Sequence, residues 1–249
     1  MSALLTGRMT TPMSMPAIPA LDSGPPGIIA RAQYWFACLF VTAWTGVLCA
    51  GLYLQFAEGE APCPLCVVQR MFMVLALLGA AHIVRQGLRG AVPRRDYLMG
   101  WGLALVGCTA GSLAAGWQAL PYLLPGGRTP GGGAQSDTAY GSGAFGGGTY
   151  GAGAYGDLVQ GLPAGVWAWL FFQASVLAIG AVLVTSHLTT ARRIPTQGPH
   201  RVAGQTALLL AGVVIGASTV AVFLQAGLHA FLPVAPGRYQ LLYDLGLSG

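Results

Sequence analysis

Pro62-Cys63-Pro64-Leu65-Cys66-Val67-Val68-Gln69-Arg70 opens an apolar run that continues to about Val84. A C-x-x-C pair stands at the mouth of a predicted helix, with one arginine a turn inside it. Pro64 suits the first helical position, where its missing N–H would find no intrahelical acceptor anyway. With Cys63 as the cap, Cys66 falls in the first turn. There the helix dipole and the unpaired N–H groups favour an anion, so a thiolate is stabilised. Such a thiol serves well as a leaving group in disulfide exchange. Arg70 follows Cys66 by four residues, so both project from one helix face.

An arginine inside a membrane span costs about 2.5–3.5 kcal/mol on insertion scales. Arg70 therefore needs a partner. Glu58 and Glu60 in the preceding loop can neutralise it; alternatively it can hydrogen-bond a carbonyl ligand and stabilise negative charge as that ligand is reduced. A quinone is such a ligand: apolar, lipid-dissolved and carrying two oxygens that gain charge.

Outward from this motif, the chain is 54% hydrophobic and 8% charged over 249 residues, against about 25% charged in a soluble domain. Five runs approach or exceed the roughly 20 residues that cross about 30 Å of hydrocarbon. They cover about Tyr34 to Phe56, Pro64 to Val84, Tyr97 to Leu120, Leu162 to His187 and Ala203 to Phe231. Each must satisfy its own backbone hydrogen bonds in lipid, so each is expected to be a helix. The expected class is an all-α integral membrane protein. The alternating pattern of barrel strands is absent.

The chain contains no lysine, and its twelve basic residues are arginines. Arg8, Arg31, Arg85, Arg89, Arg94, Arg95, Arg192, Arg193 and Arg201 fall on one side of the spans; Arg128 and Arg238 fall on the other. This asymmetry predicts a cytoplasmic N-terminus and a C-x-x-C loop on the opposite, periplasmic face, where disulfides persist. The arginines mark loops between spans rather than a nucleic-acid surface, so no nucleic-acid partner is expected. Residues 1–33 read as a disordered cytoplasmic tail rather than a cleaved signal peptide. The segment 125–161 is Gly-rich, free of cysteine, and reads as a flexible coil.

Other readings of the motif are a structural disulfide, half a zinc site, or two packed thiols. Zinc asks for four ligands; His229 is a lone candidate on that side, so no metal is expected. Arg70 can also snorkel toward a phospholipid headgroup. Cys38, Thr42, Thr45 and Cys49 recur at helical spacing on the first span and read as a small-residue packing stripe. Cys108 beside Gly107 and Gly111 reads likewise, and Gly212 with Gly216 suggests a helix interface on the fifth span. His82 and His187 sit at cytoplasmic helix ends.

Leu54-Gln55 followed by Pro62 to Arg70 resembles the first loop and second helix of the DsbB family, disulfide bond formation protein B. Leu162-Pro163 with Trp167, and the arginine-rich turn after the fourth span, are similar to that family too. The resemblance covers roughly residues 34–193. It implies a four-helix bundle in the bacterial inner membrane that reoxidises a periplasmic thioredoxin-fold (DsbA-like) thiol oxidase and passes electrons to ubiquinone or menaquinone. Carried over by position, Cys63 and Cys66 are the quinone-proximal redox pair, with Arg70, and Gln69 beside it, at the quinone. Two departures stand out. The family's second periplasmic cysteine pair, which receives electrons first, has no counterpart in the Gly-rich loop. Residues 194–249 add a fifth transmembrane helix and a tail. The expectation is therefore a DsbB-like four-helix bundle plus one helix, using a single C-x-x-C pair and either a DsbA-like partner or another dithiol donor. The alternative is a non-enzymatic helical membrane module that has lost the relay cysteines.

Overall fold

The computed structural model describes residues 27–57, 64–123, 164–185, 192–193 and 198–226, with Leu241 and Leu245. Five helices account for most of them: α1 (Ile28–Ala57), α2 (Pro64–Leu88), α3 (Arg94–Leu123), α4 (Ala164–Val184) and α5 (Pro199–Ala226). All five are long and apolar enough to cross a membrane. Exposed Leu39, Val106, Leu113, Leu177, Leu209 and Val213 form the apolar exterior that such a setting requires. The Gly-rich segment 125–161, His187 and His229 lie outside the described residues.

Helices α1 to α4 form the bundle, and α5 lies outside it, packed on α1 and α2. Neighbouring chain segments pack α1 on α2, α2 on α3, and α3 on α4. The ring of four closes through Trp44 of α1 and Phe172 of α4, whose rings stack 4.9 Å apart, and through Gln33 donating to Thr185 Oγ1 at 3.4 Å. An aromatic cluster fills the middle: Phe40 meets Trp101 edge-on at 5.5 Å, and Trp101 meets Tyr97 at 6.2 Å.

Small residues let the backbones approach. A Cβ at Gly79 would collide with Gly100 O and lie 2.6 Å from Ala104 N, and one at Gly107 would lie 2.7 Å from Ala76 N. Gly111, four residues after Gly107, faces Phe172 instead. The G-x-x-x-G pair thus serves two neighbours, α2 and α4. Because Gly79 meets backbone that cannot rotate away, Gly79→Ala is expected to destabilise the bundle by about 1–3 kcal/mol, read as a lower melting temperature in detergent.

Two expectations are corrected. First, α1 starts at Ile28, so residues 28–33 belong to the helix and not to the tail. Arg31 N–H bonds Gly27 O at 3.2 Å in the first turn, while Ala30 and Gln33 are buried by tertiary contacts. Second, Gly212 and Gly216 meet nothing within 4 Å among the described residues and are exposed. The face of α5 that packs runs instead through Gly204, Ala211 and Ser218.

At one end of the bundle, Gly90 takes φ 97° to turn the chain out of α2. It leads into β1 (Ala91–Val92), which pairs antiparallel with β2 (Arg192–Arg193). That pairing, absent from the sequence reading, ties together two of the arginine-bearing connections. Gly198 at φ 75° and Pro199 then start α5, with proline in the first-turn position it favours.

Candidate functional site

Helix α2 starts at Pro64, so Cys66 sits in the first turn as the sequence predicts. Cys66 is disulfide-bonded, whereas Cys38, Cys49 and Cys108 are free. Cys63 lies outside the described residues. Of the free thiols, Cys38 and Cys108 are buried and Cys49 is exposed on α1.

One turn beyond Cys66, Arg70 is buried at 7% exposure. Its Nη1 donates to Gln55 Oε1 at 2.6 Å, and its Nη2 donates to Gly51 O at 2.8 Å. Gly51 and Gln55 stand four residues apart on α1, so the planar guanidinium reads two successive turns of one helix. A Cβ on Gly51 would lie 3.4 Å from Arg70 Nε and Nη2, so glycine leaves room for the guanidinium against the α1 backbone. Both of these acceptors are uncharged. Glu58 and Glu60, expected as partners, lie outside the described residues.

Gln55 is 1% exposed, and its Nε2 finds no hydrogen-bond acceptor among the described residues. The Arg70 bond assigns the oxygen of that amide and therefore leaves the nitrogen as donor. A buried donor left unpaired costs about 1–3 kcal/mol, which makes this end of α1 a place that a carbonyl or hydroxyl oxygen would satisfy.

Gln69, also buried, does not face Arg70's acceptors. Its Nε2 donates to Gln118 Oε1 at 2.7 Å, and Gln118 Nε2 donates to Cys66 Sγ at 3.7 Å. Gln118 comes from α3 and lies against Gly165 of α4, where a Cβ would stand 3.2 Å from Gln118 Cβ. The structure therefore brings Cys66, Gln69 and Arg70 together, and adds Gln55 and Gln118, which the sequence reading did not single out as site residues. Gln118 carried a signal: it is a polar residue within an apolar span, where polar groups are costly and face the protein interior. At the opposite end, His82 Nε2 lies 3.8 Å from Asp96 Oδ1, and Gln86 Nε2 donates to Asp96 Oδ2 at 3.3 Å.

The family model described as "Disulfide bond formation protein DsbB" matches residues 32–125. Residues 32–125 are thus similar to the DsbB family. The matched stretch holds Gly51, Gln55, Cys66, Gln69, Arg70 and Gln118, while Gly165 of α4 lies beyond it. It stops before α4, so the resemblance read out to residue 193 is matched only as far as residue 125. Among curated proteins, Disulfide bond formation protein B of Acidovorax sp. (strain JS42) is 36% identical over 100 residues, 40% of this chain and 49% of the relative. That of Paracidovorax citrulli (strain AAC00-1) is 37% identical over 101 residues, again 40% and 49%. That of Burkholderia pseudomallei (strain 1106a) is 50% identical over 54 residues, 20% and 32%. The chain thus spans about half the length of the first two relatives it matches. No solved structure matches it. Five helices long and apolar enough to cross a membrane, with this similarity, make the chain a multi-pass helical membrane protein.

Proposed function

We propose that this chain is a membrane thiol–disulfide oxidoreductase of the DsbB type, carrying electrons from an external dithiol through one Cys63–Cys66 pair to a membrane quinone. The observation that carries this reading is a disulfide-bonded Cys66 one helical turn from a buried arginine, inside a stretch similar to the DsbB family.

The donor's thiolate attacks the Cys63–Cys66 disulfide, forming a mixed disulfide and freeing one thiol of the pair. The donor's second thiol then displaces the other cysteine, so the donor leaves as a disulfide and the pair is left as a dithiol. Two electrons and two protons have moved inward. A bound ubiquinone or menaquinone supplies the two-electron acceptor that regenerates the disulfide. The residues present fit such a group, since Arg70 is cationic and Gln55 Nε2 is an unpaired buried donor, both suited to a carbonyl oxygen. Arg70 stabilises negative charge where oxygen gains it. Gln118 holds Cys66 Sγ with its amide N–H, and Gln69 fixes the orientation of that amide.

In this reading the membrane is the bacterial inner membrane, the N-terminus is cytoplasmic, and the Cys66 end faces the periplasm. The donor is a thioredoxin-fold thiol oxidase of the DsbA type, or a small dithiol that needs no second cysteine pair. Reconstitution with a quinone and a reduced donor tests this directly: the reading requires quinone-dependent oxidation of the donor. Gln118→Leu keeps the volume but removes the donor to Sγ. It is expected to slow single-turnover reoxidation about tenfold, as loss of about 1.4 kcal/mol in the barrier implies, measured by stopped-flow thiol release. The cysteine-free 125–161 segment favours one rival, a helical module without turnover, in which the pair holds one redox state whatever the quinone pool does.

A further inference from the structure

Helix α5 lies outside the matched region, yet it touches α1 and α2. Its packed face passes Gly204, Ala211, Ser218 and Gln225, all buried and seven residues apart. On α1, Tyr34, Val41, Leu48 and Gln55 are likewise buried at seven-residue intervals. The two rows meet at one end: Tyr34 Oη donates to His200 O at 3.0 Å, and a Cβ on Gly204 would collide with Tyr34 Oη.

Both helices start at that end and run parallel. A seven-residue repeat keeps one face toward its neighbour in the left-handed crossing usual for membrane bundles. Twenty-one residues carry α1 from Tyr34 to Gln55, and twenty-one carry α5 from Gly204 to Gln225. At 1.5 Å per residue both amides therefore arrive about 32 Å along, at a common depth. Gln55 is 1% exposed and Gln225 3%. Gln55 Nε2 is a donor without a partner among the described residues, and Gln225 Oε1 is an acceptor without one.

We propose that α5 completes the site beside Arg70, and that Gln55 and Gln225 together bind a hydroxyl group of a hydroquinone. The hydroxyl oxygen accepts from Gln55 Nε2 while its O–H donates to Gln225 Oε1. A quinone carbonyl satisfies Gln55 alone. The added helix therefore discriminates between the two redox forms of the acceptor, because a site built to bond a hydroxyl leaves a buried polar atom unpaired without it. This rests on the reading that a quinone is the acceptor.

The test uses the full-length chain in detergent with Cys63→Ser and Cys66→Ser, so that no electrons move, and titrates decylubiquinol and decylubiquinone by calorimetry. Adding Gln225→Leu is expected to weaken decylubiquinol about tenfold and to change decylubiquinone less than twofold. An equal loss for both ligands, or no loss for either, overturns the inference and leaves the quinone reading standing. A lower melting temperature with both affinities unchanged also overturns it, since that marks a bond between the two amides alone. If the parent protein binds neither ligand, the quinone reading fails and the inference with it. Gln225→Met, closer in shape, is read in the same way if the leucine variant does not fold.

Discussion

Cys66→Ser is expected to abolish quinone-linked thiol oxidation, lowering turnover more than about a thousandfold, the scale seen when a covalent catalytic group is removed. Serine cannot form the disulfide, so the donor's thiolate meets no electrophilic sulfur and the pair has no oxidised state. Cys63→Ser has the same consequence in the proposed scheme. The free thiols serve as internal controls. Cys38 and Cys108 are buried among packed side chains and Cys49 is exposed on α1, so their serine variants are expected to stay within about twofold of wild type, since none supplies a reacting atom. Quinone absorbance in proteoliposomes with a reduced dithiol donor measures all five. Full activity in Cys66→Ser would remove the redox pair from the mechanism.

Arg70→Met is expected to lower turnover about a hundredfold, the lower range for losing a preorganised donor to developing negative charge. Methionine fills much of the same space without charge. It also releases Gln55 Oε1 and Gly51 O from the guanidinium, so the orientation of the Gln55 amide is lost along with the cation. Arg70→Lys separates the two contributions. An ammonium keeps the charge as a point, but it lacks the fork that spans Gly51 O and Gln55 Oε1. About tenfold of the loss is expected to remain. Equal activity in Arg70→Met and wild type would return Arg70 to a structural role at the α1–α2 contact.

The start of α2 could be read from Pro64 alone, because proline loses nothing at a first helical position. The five helices followed from run length, since lipid allows a lone apolar segment no fold but a helix. The motif's one-face arrangement of Cys66 and Arg70 followed from helical spacing. What escaped the sequence depends on contacts between distant segments. Gln118 reaches Cys66 across 52 positions and Gln69 across 49, and no local pattern encodes that meeting. Helix α1 extends back to Ile28 because residues 185 and 200 lie beside its first turns. Gly212 and Gly216 carry a packing motif on a face that meets no described neighbour; the seven-residue row through Gly204 and Gln225 forms the contact instead. Arg70's need for a partner was legible from its cost in a span. That the partners are a neighbouring helix's amide and carbonyl was not, since no local pattern pairs Gly51 and Gln55 with Arg70 until α1 and α2 are docked.

The pair at Cys66 is expected to change redox state with the quinone pool. Acid quenching and alkylation of membranes with a mass-tagged maleimide, with respiration running and then blocked, reads that state directly. A Cys63–Cys66 pair that is oxidised while the quinone pool is oxidised, and that accumulates as a dithiol when respiration is blocked, is the predicted result. A pair that holds one state under both conditions contradicts the account.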